Sequence, residues 1–200
     1  MTRGFALVVV EGALEVPASL KLLAAAGAST EGVHPLNKGG RIRFWKDTPR
    51  YDSAAATLGP VLGLADLEAF PCPSGLIARH LKSPRHRDFV LRIAEKMLES
   101  WLLADDSLAG FLRISGDLLP RSPDAEANPK QTLVNPARRS RSARLRSDLV
   151  PPEGSSGIVG RGYTPRMTEF IEDHWRPDKA QRRSESLRRA LEAIRVASSP

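Results

Sequence analysis

One cysteine in 200 residues, Cys72, leaves this chain no intrachain disulfide and no zinc site built mainly from thiolates. Histidine is also scarce, and His86 in the basic loop Lys82 to Arg87 has no second His or Cys at metal-ligand spacing nearby, which marks it as a surface residue. No apolar run reaches membrane-spanning length. The opening MTRGFALVVVEG turns acidic and glycine-bearing too soon for a signal peptide, so the chain reads as cytoplasmic. No P-loop is present, so any ATPase acting with the chain would be a separate polypeptide. No internal repeat divides it.

What is present suits one domain, or one domain with a poorly ordered tail: 41% apolar residues are enough to bury a core. A net charge of +7 favours an anionic partner, nucleic acid above all, because each neutralised phosphate releases counterions. The positive charge is uneven. Arg138, Arg139, Arg141, Arg144 and Arg146 fall in one short stretch without an acid, which is either a disordered tract or a phosphate-binding patch.

Along the chain, Phe5 to Val10 is short, continuously apolar and β-rich, as in a strand buried on both faces. Glu11-Gly12 follows, then a helix with Pro17 in its first turn and Gly27 as its stop. Strand, acid, glycine, helix opens an α/β unit, and ligands usually bind at the edge of the sheet where such a loop lies. Arg41 to Trp45 alternates and is read as a second strand, with a short helix over Ser53 to Leu58. Val61 to Phe70 is the next strand. It ends in Asp66 and Glu68, which in a strand point the same way and offer a seat for a hard divalent cation. Ser74 is placed as the cap of a helix through Leu81. Asp88 to Leu103 is expected to form one helix, apolar through Phe89, Val90, Ile93, Met97 and Trp101, with Glu99 among the solvated charges opposite. After Gly116, prolines and glycines indicate loops and short helices wrapped on the first half. Order returns over Pro165 to Trp175 and in a last helix over Ser184 to Val196.

Taken together, Glu11-Gly12 with Glu15, Asp66 with Glu68, Glu99 to Asp105, Asn128-Pro129-Lys130, Gly162-Tyr163 and Ser184 to Leu187 resemble an uncharacterised prokaryotic family related to TOPRIM domains. The resemblance spans nearly the whole chain. It implies a compact α/β fold with a mostly parallel central sheet flanked by helices: a TOPRIM-like core over residues 1–115, carrying a loop-rich, Arg-rich extension over 116–200. It also implies that Glu11, Asp66 and Glu68 hold magnesium or manganese, and that Lys130 adds a positive charge. Under this reading Glu99 becomes a fourth acid or a positioning group, and Glu15 either supports the metal or faces the positive end of its helix. The sequence departs from the family's usual acid pair in having Glu rather than Asp at position 68.

Of the TOPRIM chemistries, a topoisomerase needs a tyrosine on a DNA-gripping domain, and the chain has only Tyr51 and Tyr163 and no separate domain to present either. A primase would need a template-binding module. Hydrolysis of DNA or RNA needs only the acids, the metal and a basic surface, here Arg138 to Arg146. The expectation is therefore a metal-dependent nuclease, which by family analogy accompanies a separate AAA-type or related ATPase in anti-phage defence. The alternative is a noncatalytic nucleic-acid-binding or partner-docking protein that keeps the fold.

Overall fold

The computed structural model describes residues 4–81 and 84–199, so Lys82 and Ser83 of the basic loop lie outside the described residues. The first apolar run forms β1, Leu7–Val10, and the chain turns through Glu11-Gly12 into α1, Glu15–Ala25. Gly27, at φ 79°, ends that helix in the left-handed conformation glycine adopts without penalty. The short strand β2, Leu36–Asn37, leads to the long helix α2, Arg41–Leu58. There follow β3, Val61–Asp66, α3, Pro73–His80, β4, Phe89–Ala94, and α4, Leu98–Leu103. The second half is helical: α5, Ser107–Leu112, α6, Pro129–Ala137, α7, Ala143–Leu149, α8, Tyr163–Glu169, a π-helical turn Phe170–His174, α9, Pro177–Ala180, and α10, Glu185–Ser198.

The four strands lie in the order β2-β1-β3-β4, and every pairing is parallel. The chain is an α/β protein with an all-parallel central sheet flanked by helices. Parallel strands need both faces covered, and the period-two alternation of side chains sorts the strand residues between two layers. Val8, Val10, Leu62, Leu64 and Val90 pack with Leu22 of α1, Trp101 of α4 and Ile194 of α10. Val9, Val61, Ala65, Phe89, Leu91 and Ile93 pack instead with Phe44 and Trp45 of α2 and Leu76 of α3. Leu133, Leu149, Tyr163 and Phe170 join the first of these clusters, so the second half of the chain shares the core of β1 and β3.

Three local expectations are overturned. Arg41 to Trp45 is the start of α2, not a strand. Phe44, Thr48, Tyr51 and Ala55 are its buried positions, a helical spacing that overrides the short alternation and accommodates Pro49 inside the helix. Asp88 to Leu103 is not one helix but β4 followed by α4. The apolar run fits either period, and the open edge of β3 decides it, since Val61 to Asp66 pair residue by residue with Phe89 to Ala94. Lys96, at φ 61°, breaks any continuous helix between them. The cap of α3 is Cys72 rather than Ser74: its Sγ accepts a hydrogen bond from the Gly75 amide at 3.4 Å.

No helix among the described residues is long and apolar enough to cross a membrane.

Candidate active site

Strand order places the acids. β1 and β3 are neighbours, but the chain leaves β1 for β2 on one side and reaches β4 on the other, so the carboxyl ends of β1 and β3 flank the point where the winding reverses, the usual ligand crevice of an open parallel sheet. Glu11 is the residue after β1, and Asp66 is the last of β3. The division of residues 88–103 into strand and helix brings Glu99 to the same edge, because α4 starts just past β4 and Glu99 is its second residue. Glu15 arrives from the first turn of α1, where a carboxylate also meets the positive end of the helix. Gly12 makes room for it: a Cβ at position 12 would stand 2.9 Å from Glu15 Oε2.

These carboxylates are withdrawn from water. Glu11 and Glu15 are each 8% exposed and Glu99 is 2% exposed. Burial, partly offset by the Asp66 amide, pushes Glu11 up to about 7, with Glu68 and Glu15 adding repulsion. Burial likewise raises Asp66 well above the ordinary carboxylate range, followed by the charges of Glu15, Glu99 and Glu11. Glu15 is raised by burial and by Glu99, against the pull of Lys130. The charges of the other three acids thus converge on Asp66.

Their partners come from distant parts of the chain. The Asp66 amide donates weakly to Glu11 Oε2 at 3.5 Å, and Asp66 Oδ1 accepts from the Leu98 amide at 2.9 Å, tying the end of β3 to the start of α4. Glu99 Oε1 accepts from the Tyr163 hydroxyl at 2.9 Å and lies 3.4 Å from Lys130 Nζ. Burial and the adjacent Glu99 hold the Tyr163 phenol well above its ordinary pKa, so it stays a donor. Lys130 Nζ also stands 6.0 Å over the Tyr163 ring.

Glu68 stands at the rim of this group, its charge adding to the repulsion on Glu11. It lies just beyond the strand at φ 53°, and its exposed carboxylate pairs with Arg41 at 3.0 Å. The same Arg41 side chain donates to the Asp66 carbonyl at 3.3 Å. Glu68 is therefore a rim residue, joined to the cluster through Arg41 rather than directed into it.

The five arginines of the basic stretch are all exposed. Arg138 follows the far end of α6 from Lys130, roughly 12 Å along the axis at about 1.5 Å per residue. Arg144 leans toward Asp148 at 4.0 Å, and Arg146 donates to the Ser140 carbonyl. They form a surface beyond the cluster, not its lining.

Of the expected site residues, Glu11, Asp66, Glu99 and Lys130 come together, and Glu15 joins them. Two contributors had no assigned role. Arg41 was hidden by the strand reading, although the buried helical spacing at 44, 48, 51 and 55 was there to find. Tyr163 carried only the general signal that a buried tyrosine hydroxyl needs a partner.

Compared with known protein families, with curated proteins and with solved structures, the chain has no match in any of the three. Among the described residues no three His, Cys, Asp or Glu side chains are arranged to clasp a metal ion as they stand. The donor set nevertheless fits one in its chemistry. It consists of carboxylate oxygens only, at an edge where repulsion and burial favour taking up either protons or a hard cation such as Mg²⁺ or Mn²⁺. Binding would have to draw Asp66, Glu11 and Glu15 closer together, because Glu99 is engaged by Tyr163 and Lys130, and Glu68 by Arg41.

Proposed function

We propose that this protein is a metal-dependent nuclease of the TOPRIM type, hydrolysing phosphodiesters of DNA or RNA at the carboxyl edge of its sheet. The observation that carries the reading is the meeting of buried Glu11, Glu15 and Glu99 around the half-buried Asp66, on which all three charges bear, at the reversal of the sheet's winding. Magnesium or manganese, when bound, would supply an activated water and stabilise charge developing on the phosphate. The chain's own residues do the rest. Asp66, Glu11 and Glu15 would hold the ion, and Glu99, fixed by Tyr163, positions Lys130 at the cluster. Arg41, braced by Glu68 and the Asp66 carbonyl, stands where a phosphate approaching the strand ends needs a cation. The resemblance adds a separate ATPase as companion and anti-phage defence as the setting.

Asp66→Asn tests this. It removes a charge from the centre of the cluster with little change in shape, and is expected to lower magnesium-dependent cleavage of DNA or RNA by at least about 100-fold, since even outer partners of metal ligands are worth about 10–100-fold. Undiminished cleavage would remove Asp66 from the chemistry. A noncatalytic binding protein with the same fold parts from the enzyme on metal. At about 100 times its dissociation constant magnesium should stabilise the enzyme by about 2.7 kcal/mol, whereas a pure binding module stays unmoved.

A further inference from the structure

Beside the acid cluster, on the far side of Arg41, lies a cavity of about 370 Å³ lined by Arg41, Ile42, Trp45, Lys46, Phe70, Leu76, Arg79 and His80. Its walls combine flat apolar surface with cations. The rings of Trp45 and His80 are stacked at 4.7 Å and 24°. Trp45 is buried beneath and His80 partly open above it, so the imidazole is held as a fixed platform. Ile42 is 83% exposed, the most open of the large apolar side chains among the described residues. Phe70 forms another wall, with the Arg79 guanidinium 5.9 Å over its ring. Lys46 and Arg79 are exposed, Lys46 lending only a weak pull to the neighbouring Asp47. The indole N–H of Trp45 is the one buried side-chain donor among the described residues that lacks an acceptor.

We propose that this cavity is a nucleotide subsite, seating one unpaired base against His80, Ile42 and Phe70 while Arg41, Lys46 and Arg79 take its phosphate. Rings on which a base can stack, interleaved with cations, are the composition by which single-stranded nucleic acid is held without sequence preference. Arg41 is the link to the chemistry, because it lines the cavity while touching both Glu68 and the Asp66 carbonyl. A phosphate bound by Arg41 therefore lies next to the strand end that carries Asp66. Burial and the neighbouring charges of Arg79 and Arg41 keep His80 below its usual pKa, which favours a neutral stacking ring near pH 7. The inference deepens the nuclease reading, for it assigns that enzyme an unpaired stretch of strand as substrate.

Binding is read by fluorescence anisotropy of a labelled oligothymidylate in EDTA, where no cleavage occurs. Lys46→Ala with Arg79→Ala, and separately Ile42→Asp, are expected to weaken binding about tenfold or more, the scale of removing one stacked base, with melting temperature unchanged because all three side chains are exposed. Lys179→Ala with Arg182→Ala removes the same charge from an exposed surface that has no part in either site. Wild-type affinity in the cavity variants, or an equal loss in this control, overturns the subsite. Unlabelled thymidine monophosphate then identifies the source of the nucleotide: displacement of the oligomer at comparable concentration points to a free nucleotide, and failure to displace it points to a strand, with the subsite upheld in either case. The nuclease reading fails separately, through Asp66→Asn leaving cleavage intact, and that result does not touch the anisotropy.

Discussion

Acids gather inside at the carboxyl edge, whereas the densest run of arginines stays on the surface. Glu11, Glu15 and Glu99 are buried around the half-buried Asp66, whose proton affinity all three raise, and Lys130 and Tyr163 are the donors set against Glu99. Arg138, Arg139, Arg141, Arg144 and Arg146 are in water, where screening weakens the repulsion between like charges. Charge density read along a sequence weights the two regions in the wrong order. The five closely spaced arginines are conspicuous and strain the fold little, while the four scattered acids are inconspicuous and are held together against their own repulsion. A cluster kept against such opposition favours taking up protons or a hard cation.

The contrast is broken most strongly by removing a donor from the buried side. Tyr163→Phe deletes the hydroxyl that Glu99 accepts, and is expected to cost about 2 kcal/mol, the scale of a hydrogen bond to a charged group. Thermal melts should fall by about 4–8 °C for a chain of this size. An unchanged melt would mean that water replaces the phenol and that the site is more open than its burial implies.

Neutralising an acid works in the opposite direction. Glu11 binds its proton more tightly in the folded chain, at about 7 against an ordinary 4.5. Its protonated form favours folding, so that contribution is full below about pH 4.5 and is lost as pH rises through about 7. Glu11→Gln should therefore stabilise the metal-free protein at pH 8, by about 1–2 kcal/mol, less than the about 3 kcal/mol of the whole shift because the buried amide needs hydrogen-bond partners of its own, and flatten the decline of melting temperature over that window. A loss of stability at pH 8 would show that the carboxylate is already compensated.

The smallest stability effect belongs to the arginines. Replacing Arg138, Arg139, Arg141 and Arg144 by Gln should move the melting temperature by no more than about 2 °C. If the surface meets phosphates, the slope of log affinity against log salt should shrink by about one for each phosphate left without its arginine. An unchanged slope would reduce this stretch to a solvated face.

The parallel sheet was legible in the sequence through β1 and β3, whose continuous apolar runs leave little choice of period, and so were Glu11 and Asp66, which stand at their ends. The stretch 88–103 was not, because Phe89, Val90, Ile93, Met97 and Trp101 satisfy a helical spacing until a neighbouring strand edge claims the first of them. A helical reading puts Glu99 on a solvated face when it is the most buried acid of the site. Lys130 and Tyr163 stand in recognisable fragments of sequence, yet nothing local ties either to an acid on α4, since that contact exists only after the second half has folded over the first.

That last dependence sets an order of events. Glu99 meets its hydroxyl partner 64 positions further along the chain. On the ribosome, the four acids have therefore all been made well before Tyr163 appears, and the site remains unfinished for that interval. A nascent or truncated chain ending before Tyr163 carries every proposed metal ligand without the donor that fixes Glu99. For a protein proposed to cut nucleic acid, this couples completion of the proposed site to the late stages of synthesis.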